Sequence, residues 1–102
     1  MILEAAFAVA IDGDTLDLNG SRVRLWGINS PELSTGNKGK EAKVALQTLL
    51  KNGVVCHVWT RDRYGRYVGQ CYVKGEDVAW HLIAGGWAED WPKYSKGYYH
   101  AR

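Results

Sequence analysis

No apolar run in this chain approaches the ~20 residues a membrane-spanning helix needs, so none of it reads as a transmembrane segment. Cysteine is scarce, with 2 residues beside 3 histidines and no close Cys–His spacing, which removes the usual framework for a zinc cluster. His57, His81 and His100 show no pairing with a Ser or Cys nucleophile and read as structural or exposed. There is no internal repeat, low-complexity tract or linker, so residues 1–102 are expected to form one domain. Charge of one sign is also lacking: 13 Lys and Arg against 11 Asp and Glu leave +2, compatible with a nucleic-acid partner but too weak to argue for one. The apolar opening, Met1 to Ala10, has no basic start and carries Glu4, so it reads as a strand and not a secretory signal. For an exported protein the signal would lie outside this sequence. Phenylalanine is nearly missing, 1 residue against 5 Trp and 6 Tyr. Such amphipathic rings suit a small barrel with wet edges and also suit base stacking, although rimming the core is the expectation for most of them.

What is present is globular: 46% of the residues are hydrophobic, enough for one core with little stability to spare at this length. Alternation predicts strands at Ala5 to Ile11, Thr15 to Leu18, Ser21 to Gly27, Val54 to Thr60 and Tyr67 to Val73. Asn19-Gly20 is a hairpin turn, since both positions tolerate positive φ. In the third strand Val23 and Leu25 share one face and Arg24 takes the other. Ser34 to Lys40 reads as a polar loop. Ala42, Ala45, Leu46, Leu49 and Leu50 then mark one face of a helix over Lys40 to Lys51, ended by Asn52-Gly53. A second helix is expected over Asp77 to Ala84, and Tyr94 to Arg102 begins a third that is short or truncated. Five strands with a helix between the third and fourth predict a mainly β (α+β) fold, a five-stranded OB-fold barrel with two to three helices. Another small α+β barrel satisfies the pattern equally.

Pairing the last two strands symmetrically about Arg63-Tyr64 sets Cys56 opposite Cys71 and Val58 opposite Gly69, all on one face. Cross-strand Cβ atoms ~4.5–5.5 Å apart are within reach of a disulfide. A disulfide is the expectation, and two buried thiols acting as small hydrophobes are the alternative. A disulfide would place the protein in an oxidising compartment, secreted or periplasmic, with the cytoplasm as the other option.

Three separated segments carry chemistry: Asp12-Gly13-Asp14-Thr15, Arg24-Leu25-Trp26-Gly27-Ile28-Asn29-Ser30-Pro31-Glu32, and Asp62-Arg63-Tyr64-Gly65-Arg66. Acidic groups hold a hard cation, a Glu handles a proton, and two Arg forks grip a phosphate. Each piece alone has a plainer reading: a capped Asp-Gly-Asp turn, a solvated loop Glu, surface arginines. In this order and at this spacing, however, they resemble the staphylococcal nuclease (thermonuclease) family over roughly residues 5–88.

That resemblance implies an OB-fold and a set of roles. Asp14 would ligate calcium with Asp12 supporting it, joined by the Asn29 amide oxygen and the Ser30 carbonyl. The family usually carries Asp where this chain has Asn29, which offers oxygen without charge and so implies weaker metal binding. Glu32 would activate or position the attacking water, and Arg24 and Arg66 would bind the phosphate. Arg63 and Tyr64 would contact the nucleotide, with Trp91 and Tyr94 near the family's stacking positions. The implied activity is calcium-dependent hydrolysis of DNA or RNA phosphodiesters, single strands preferred, leaving 3′-phosphate ends. The rival is a weakened or inactive OB-fold module binding nucleic acid or a protein partner. A structural envelope protein is a third reading, resting on the disulfide alone. A monomer is expected, with an oligomer open if the last helix is incomplete.

Overall fold

In the computed structural model, which describes residues 1–100, the alternating segments become the strands β1 Ile2–Ala5, β2 Val9–Ala10, β3 Thr15–Leu18, β4 Ser21–Leu25, β5 Ile28–Asn29, β6 Val54–Arg61, β7 Tyr67–Val73, β8 Glu76–Asp77 and β9 Glu89–Asp90. The helices are α1 Asn37–Leu50, α2 Val78–Ala84 and α3 Pro92–Ser95. The main sheet runs β1-β6-β7-β4-β3-β2, with β8 beside β7. β1 and β2 are consecutive pieces of one segment, yet they pair with opposite ends of the sheet, β6 and β3. The sheet therefore curls until one stretch of chain lines both of its ends, which is the OB-type barrel.

The single strand expected from Ala5 to Ile11 is not formed: β1 begins earlier, at Ile2, and ends at Ala5, and within the expected range only Val9–Ala10 follows as β2, after a break at residues 6–8. The reason is polar. Gln47 of α1 donates its amide to the Ala8 carbonyl at 2.9 Å and accepts from the Ala10 N–H at 2.9 Å, satisfying backbone groups where the segment changes neighbours. α1 also begins earlier than its apolar face indicates, at Asn37 within the expected polar loop, after a 3₁₀ turn over Leu33–Thr35 that overlaps the start of that loop. Ala42, Leu46 and Leu50 are fully buried beneath it, while Ala45 and Leu49 are half-buried.

β6 and β7 pair with Cys56 facing Cys71 and Val58 facing Gly69, and a disulfide joins Cys56 to Cys71. Past Val58 the register slips, so that Thr60 faces Val68 and Arg61 faces Tyr67. The turn is consequently centred on Tyr64, one half-step from the symmetric expectation, and the extra residue makes a β-bulge. The parallel pairing of β4 with β7 matters most for function. It sets Arg24 beside Val68, and Arg66 lies two residues before Val68, so both arginines fall on the same face. Val23 and Leu25 point the other way and are fully buried with Leu16, Ile28, Leu46, Leu82 and both cysteines.

The third helix differs from expectation. It spans Pro92–Ser95 and ends where Lys96 takes a left-handed conformation, φ 55°, followed by Gly97 at φ 85°. The expected continuation at Ala101 and Arg102 lies outside the described residues. The segment is held down by Tyr99, 2% exposed, whose hydroxyl donates to Asp77 Oδ2 at 2.8 Å and accepts from Gln70 at 3.2 Å. Among the described residues no helix is long and apolar enough to cross a membrane.

Candidate active site

The acidic turn sits at the mouth of the barrel because β2 and β3 converge there, with Ile11 N–H and Asp12 N–H both bonding the Thr15 carbonyl. Asp12 Oδ1 accepts from the Asp14 N–H at 3.0 Å, the capping expected of an Asp-Gly-Asp turn. Gly13 allows α1 and the Ser30 loop to close on this turn. A Cβ there would come within 2.6 Å of both Ala42 Cβ and Ser30 Oγ.

Asp14 is buried, and besides its bond to Asp12 four contacts surround it. Its Oδ2 lies 3.4 Å from Arg24 Nη2 and accepts from the Ser30 N–H at 3.0 Å. The Thr15 hydroxyl donates to its Oδ1 at 3.3 Å, and its own carbonyl accepts from the Leu25 N–H. Burial raises its pKa above the ordinary carboxylate value, and neighbouring Asp12 adds to the rise, with Arg24 opposing both. Arg24 is held in turn by its own Nη1 donating to the Leu25 carbonyl at 2.7 Å, and its guanidinium lies 5.5 Å from the centre of the Trp91 ring.

Arg66 is fixed by Asp62. The Arg66 Nε to Asp62 Oδ2 distance is 2.7 Å, and Asp62 Oδ1 collects the N–H groups of Tyr64 and Arg66. Burial pushes the Asp62 carboxyl upward, but these hydrogen bonds outweigh it and hold the group below its ordinary value. Arg66 Nη1 also reaches Thr15 Oγ1 at 3.5 Å, tying the hairpin to the acidic turn. A guanidinium carries five N–H donors, so these contacts orient both forks without exhausting them.

Glu32 stands exposed after Pro31, and among the described residues its carboxylate enters no hydrogen bond or ion pair. Its backbone is fixed instead: the Glu32 carbonyl accepts from the Thr35 N–H and hydroxyl. Gly39, buried in the first turn of α1, lies directly beneath. A Cβ at Gly39 would collide with the Glu32 carbonyl oxygen and approach Leu33 Cα to 2.8 Å.

Asp12, Asp14, Arg24, Asn29, Ser30, Glu32, Arg63, Tyr64, Arg66, Trp91 and Tyr94 all line one open cleft of about 740 Å³. Every residue singled out for metal, phosphate or nucleotide therefore faces a common space. Asn29 is exposed on β5, opposite Glu89, and Ser30 is buried behind it. Arg63 Nη2 donates to the Tyr64 hydroxyl at 2.9 Å, and Tyr64 is 69% exposed at the hairpin tip. Trp91 and Tyr94 meet edge-on with centroids 4.5 Å apart, anchored by the Trp91 N–H on the Gly27 carbonyl. Four contributors were given no role from the sequence: Asp62 and Thr15 as orienting partners, Gly39 beneath the Glu32 loop, and Trp26 in the wall. Only Asp62 was within reach of sequence reasoning, because an Asp opening a tight turn ordinarily captures the amides that follow it. Among the described residues no three His, Cys, Asp or Glu side chains stand close enough together to hold a metal ion by themselves.

A curled OB-type barrel whose mouth gathers two oriented arginines, an acidic turn and an exposed Glu defines a small domain of the thermonuclease type. Residues 22–101 match the staphylococcal nuclease homologue family, and the chain belongs to that family. It is 38% identical over 104 residues to the succinoglycan biosynthesis protein ExoI of Rhizobium meliloti (strain 1021), covering 90% of this chain and 54% of that protein. It is 41% identical over 73 residues to the staphylococcal-like nuclease CAN1 of Arabidopsis thaliana, covering 62% of this chain and 22% of that one. The probable staphylococcal-like nuclease CAN1 of Oryza sativa subsp. japonica is 38% identical over 76 residues, 74% of this chain and 23% of the relative. The chain thus spans about half the length of the first relative and under a quarter of the two plant proteins.

Proposed function

We propose that this domain is a nuclease that hydrolyses phosphodiester bonds of DNA or RNA, preferring single strands, with calcium as cofactor and 3′-phosphate ends as product. The observation that carries the reading is the convergence of Arg24, Arg66, Glu32 and Asp14 on one cleft. Arg24 and Arg66, approaching from β4 and from the β6–β7 hairpin, would clamp the phosphate and take up the charge that grows on its oxygens. Glu32, exposed and unpaired, is suited to accept the proton of an attacking water. The new bond forms between that water oxygen and phosphorus as the bond from phosphorus to the 5′ oxygen breaks. The phosphate stays on the 3′ side, and the 5′ oxygen leaves with a proton taken from solvent, to which Glu32 returns the one it accepted.

The donors fit a hard cation: the carboxylates of Asp14 and Asp12, the Asn29 amide oxygen and the Ser30 carbonyl are all oxygen ligands. Asp12 and Asp14 stand on one turn, with the Asp14 N–H donating to Asp12 Oδ1 at 3.0 Å, so two carboxylates share the lining of the cleft. Arg24 already serves Asp14 and Asn29 adds no charge, so the cation is held weakly. When bound, calcium would supply positive charge beside the scissile phosphate. Converting Asn29→Asp restores a third carboxylate. The calcium concentration for half-maximal cleavage then falls on the order of tenfold and the rate at limiting calcium rises, which a calcium titration measures. An unchanged titration would remove Asn29 from the ligand set. A catalytically silent binding module is the second reading, favoured by that same Asn29. The buried disulfide supports a secreted or periplasmic location.

Glu32 depends on its backbone. Gly39→Ala forces the 31–36 loop off α1, and turnover falls about 10- to 100-fold, because displacements near 1 Å in a reacting group cost that much. Measuring kcat together with the thermal midpoint separates displacement of the loop from loss of the fold.

A further inference from the structure

We infer that the barrel carries a second nucleic-acid contact outside the cleft, a stacking surface formed by Trp26, Trp59 and Tyr98 that takes the flank of a single strand. The inference rests on the nuclease reading for where that strand enters, and it names where the strand goes next.

Trp26 belongs to both places. It lines the cleft, and its ring meets Trp59 edge-on with centroids 5.7 Å apart and Tyr98 at 5.6 Å. Trp59 is 54% exposed and Tyr98 is 44% exposed, both outside the buried core. Contiguous apolar surface left in water on a small domain marks a contact surface. The backbone presents it deliberately. Trp59 sits where the β6–β7 register slips between Val58 and Thr60, and the slip leaves Trp59 and Thr60 exposed in succession. Bulges beside functional sites commonly re-aim a side chain in this way.

The charge of the surroundings selects the ligand. Two residues beyond Trp59 comes exposed Arg61, its guanidinium 4.2 Å from the centre of the Tyr67 ring, and then Arg63 at the hairpin tip. Strand β6 therefore leads from the rings through cations to the loop that carries Arg66. Rings for bases beside cations for phosphates are what a single strand of nucleic acid requires, and an OB-fold commonly spans roughly 4–16 nucleotides. A cleft of this size holds only the few nucleotides around the scissile bond, so a longer strand must cross the barrel surface.

The test measures binding of 5′-labelled oligothymidylate 4-mer and 12-mer by fluorescence anisotropy, in chelator so that no cleavage occurs. The wild-type chain is expected to bind the 12-mer more tightly than the 4-mer. Trp59→Ala weakens the 12-mer by about tenfold, the loss expected for one stacked base, and collapses the length preference. Trp59→Phe keeps most of it. The inference is overturned if Trp59→Ala leaves 12-mer affinity unchanged, if both lengths weaken equally, or if the wild-type chain binds neither. It is also overturned if sedimentation shows a wild-type dimer that Trp59→Ala dissociates at constant 12-mer affinity, since the rings would then contact a second copy. Cleavage in calcium is scored separately. Length-dependent binding without cleavage defeats the nuclease reading alone, and cleavage without a Trp59 effect defeats the stacking surface alone.

Discussion

Arg24→Ala lowers the kcat for cleavage of single-stranded DNA by on the order of 10³-fold, measured in saturating calcium, while affinity for the strand falls by no more than about tenfold. The difference in scale follows from what Arg24 does. As one cation among several near the cleft, it contributes modestly to holding a phosphate in the ground state. In the proposed reaction its oriented fork would oppose the charge that appears only as phosphorus becomes five-coordinate, and interactions confined to the transition state act on kcat. Its orientation is built in: Nη1 is tied to the Leu25 carbonyl and Nη2 lies beside Asp14. Arg24→Lys keeps a charge without the fork, and it recovers binding before it recovers turnover. The variant also removes the counter-charge of a buried carboxylate, so its thermal midpoint belongs beside its kinetics. A binding module lacking catalysis would show only the loss of affinity, and this substitution therefore divides the two readings.

Tyr99→Ala destabilises the domain by about 3–5 kcal/mol, the range for removing a buried aromatic side chain, and lowers the thermal midpoint by more than about ten degrees. Tyr99 is the largest fully buried side chain, and its ring packs against Trp26 and Tyr98. It ties the segment after α3, itself only 4 residues long, to the barrel. Tyr99→Phe isolates the hydroxyl. It leaves Asp77 and Gln70 without their shared partner and costs about 1–3 kcal/mol. The phenol also sets a limit at high pH. Burial raises its pKa above the ordinary value of 10.0, and the Asp77 carboxylate raises it further, with the Gln70 hydrogen bond opposing. The folded protein therefore holds this proton more tightly than the unfolded chain. The stabilisation is complete below about pH 10 and is lost progressively as pH rises beyond it. Denaturant unfolding from pH 8 upward shows that decline in the wild type and a flatter profile in Tyr99→Phe.

Tyr99 also shows where sequence reasoning stops. Its partners Asp77 and Gln70 lie 22 and 29 residues away, and no local pattern distinguishes it from exposed Tyr98 beside it. Local signals served well where the physics is local. Alternation located Thr15–Leu18 and Tyr67–Val73 at both ends, and symmetric strand pairing found the Cys56–Cys71 contact despite a turn centred one half-step away. The bulge at Trp59 escaped because it redistributes register without altering the hydrophobic rhythm. The split of the first strand escaped because Gln47, distant in sequence, supplies the hydrogen bonds that allow it. β5 and β9 are 2 residues each, too short to show any period. Within the cleft, the candidate side chains were picked out by their resemblance to a family motif, since each piece alone has a plainer reading, and the structure brings them to one space. Gly39 and Gly13 were not picked out, because their part is to have no side chain where another backbone passes.

The central claim is that this cleft cleaves phosphodiester bonds, and the direct measurement is release of acid-soluble nucleotide from heat-denatured DNA, in calcium and again in chelator, with Glu32→Gln run alongside. The account predicts release in calcium, none in chelator, and a loss of about 10²–10³-fold in Glu32→Gln with strand binding retained. Release that continues in chelator, or that Glu32→Gln leaves untouched, contradicts the assignment of the site. No release in calcium from a chain that still binds the strand contradicts the nuclease itself.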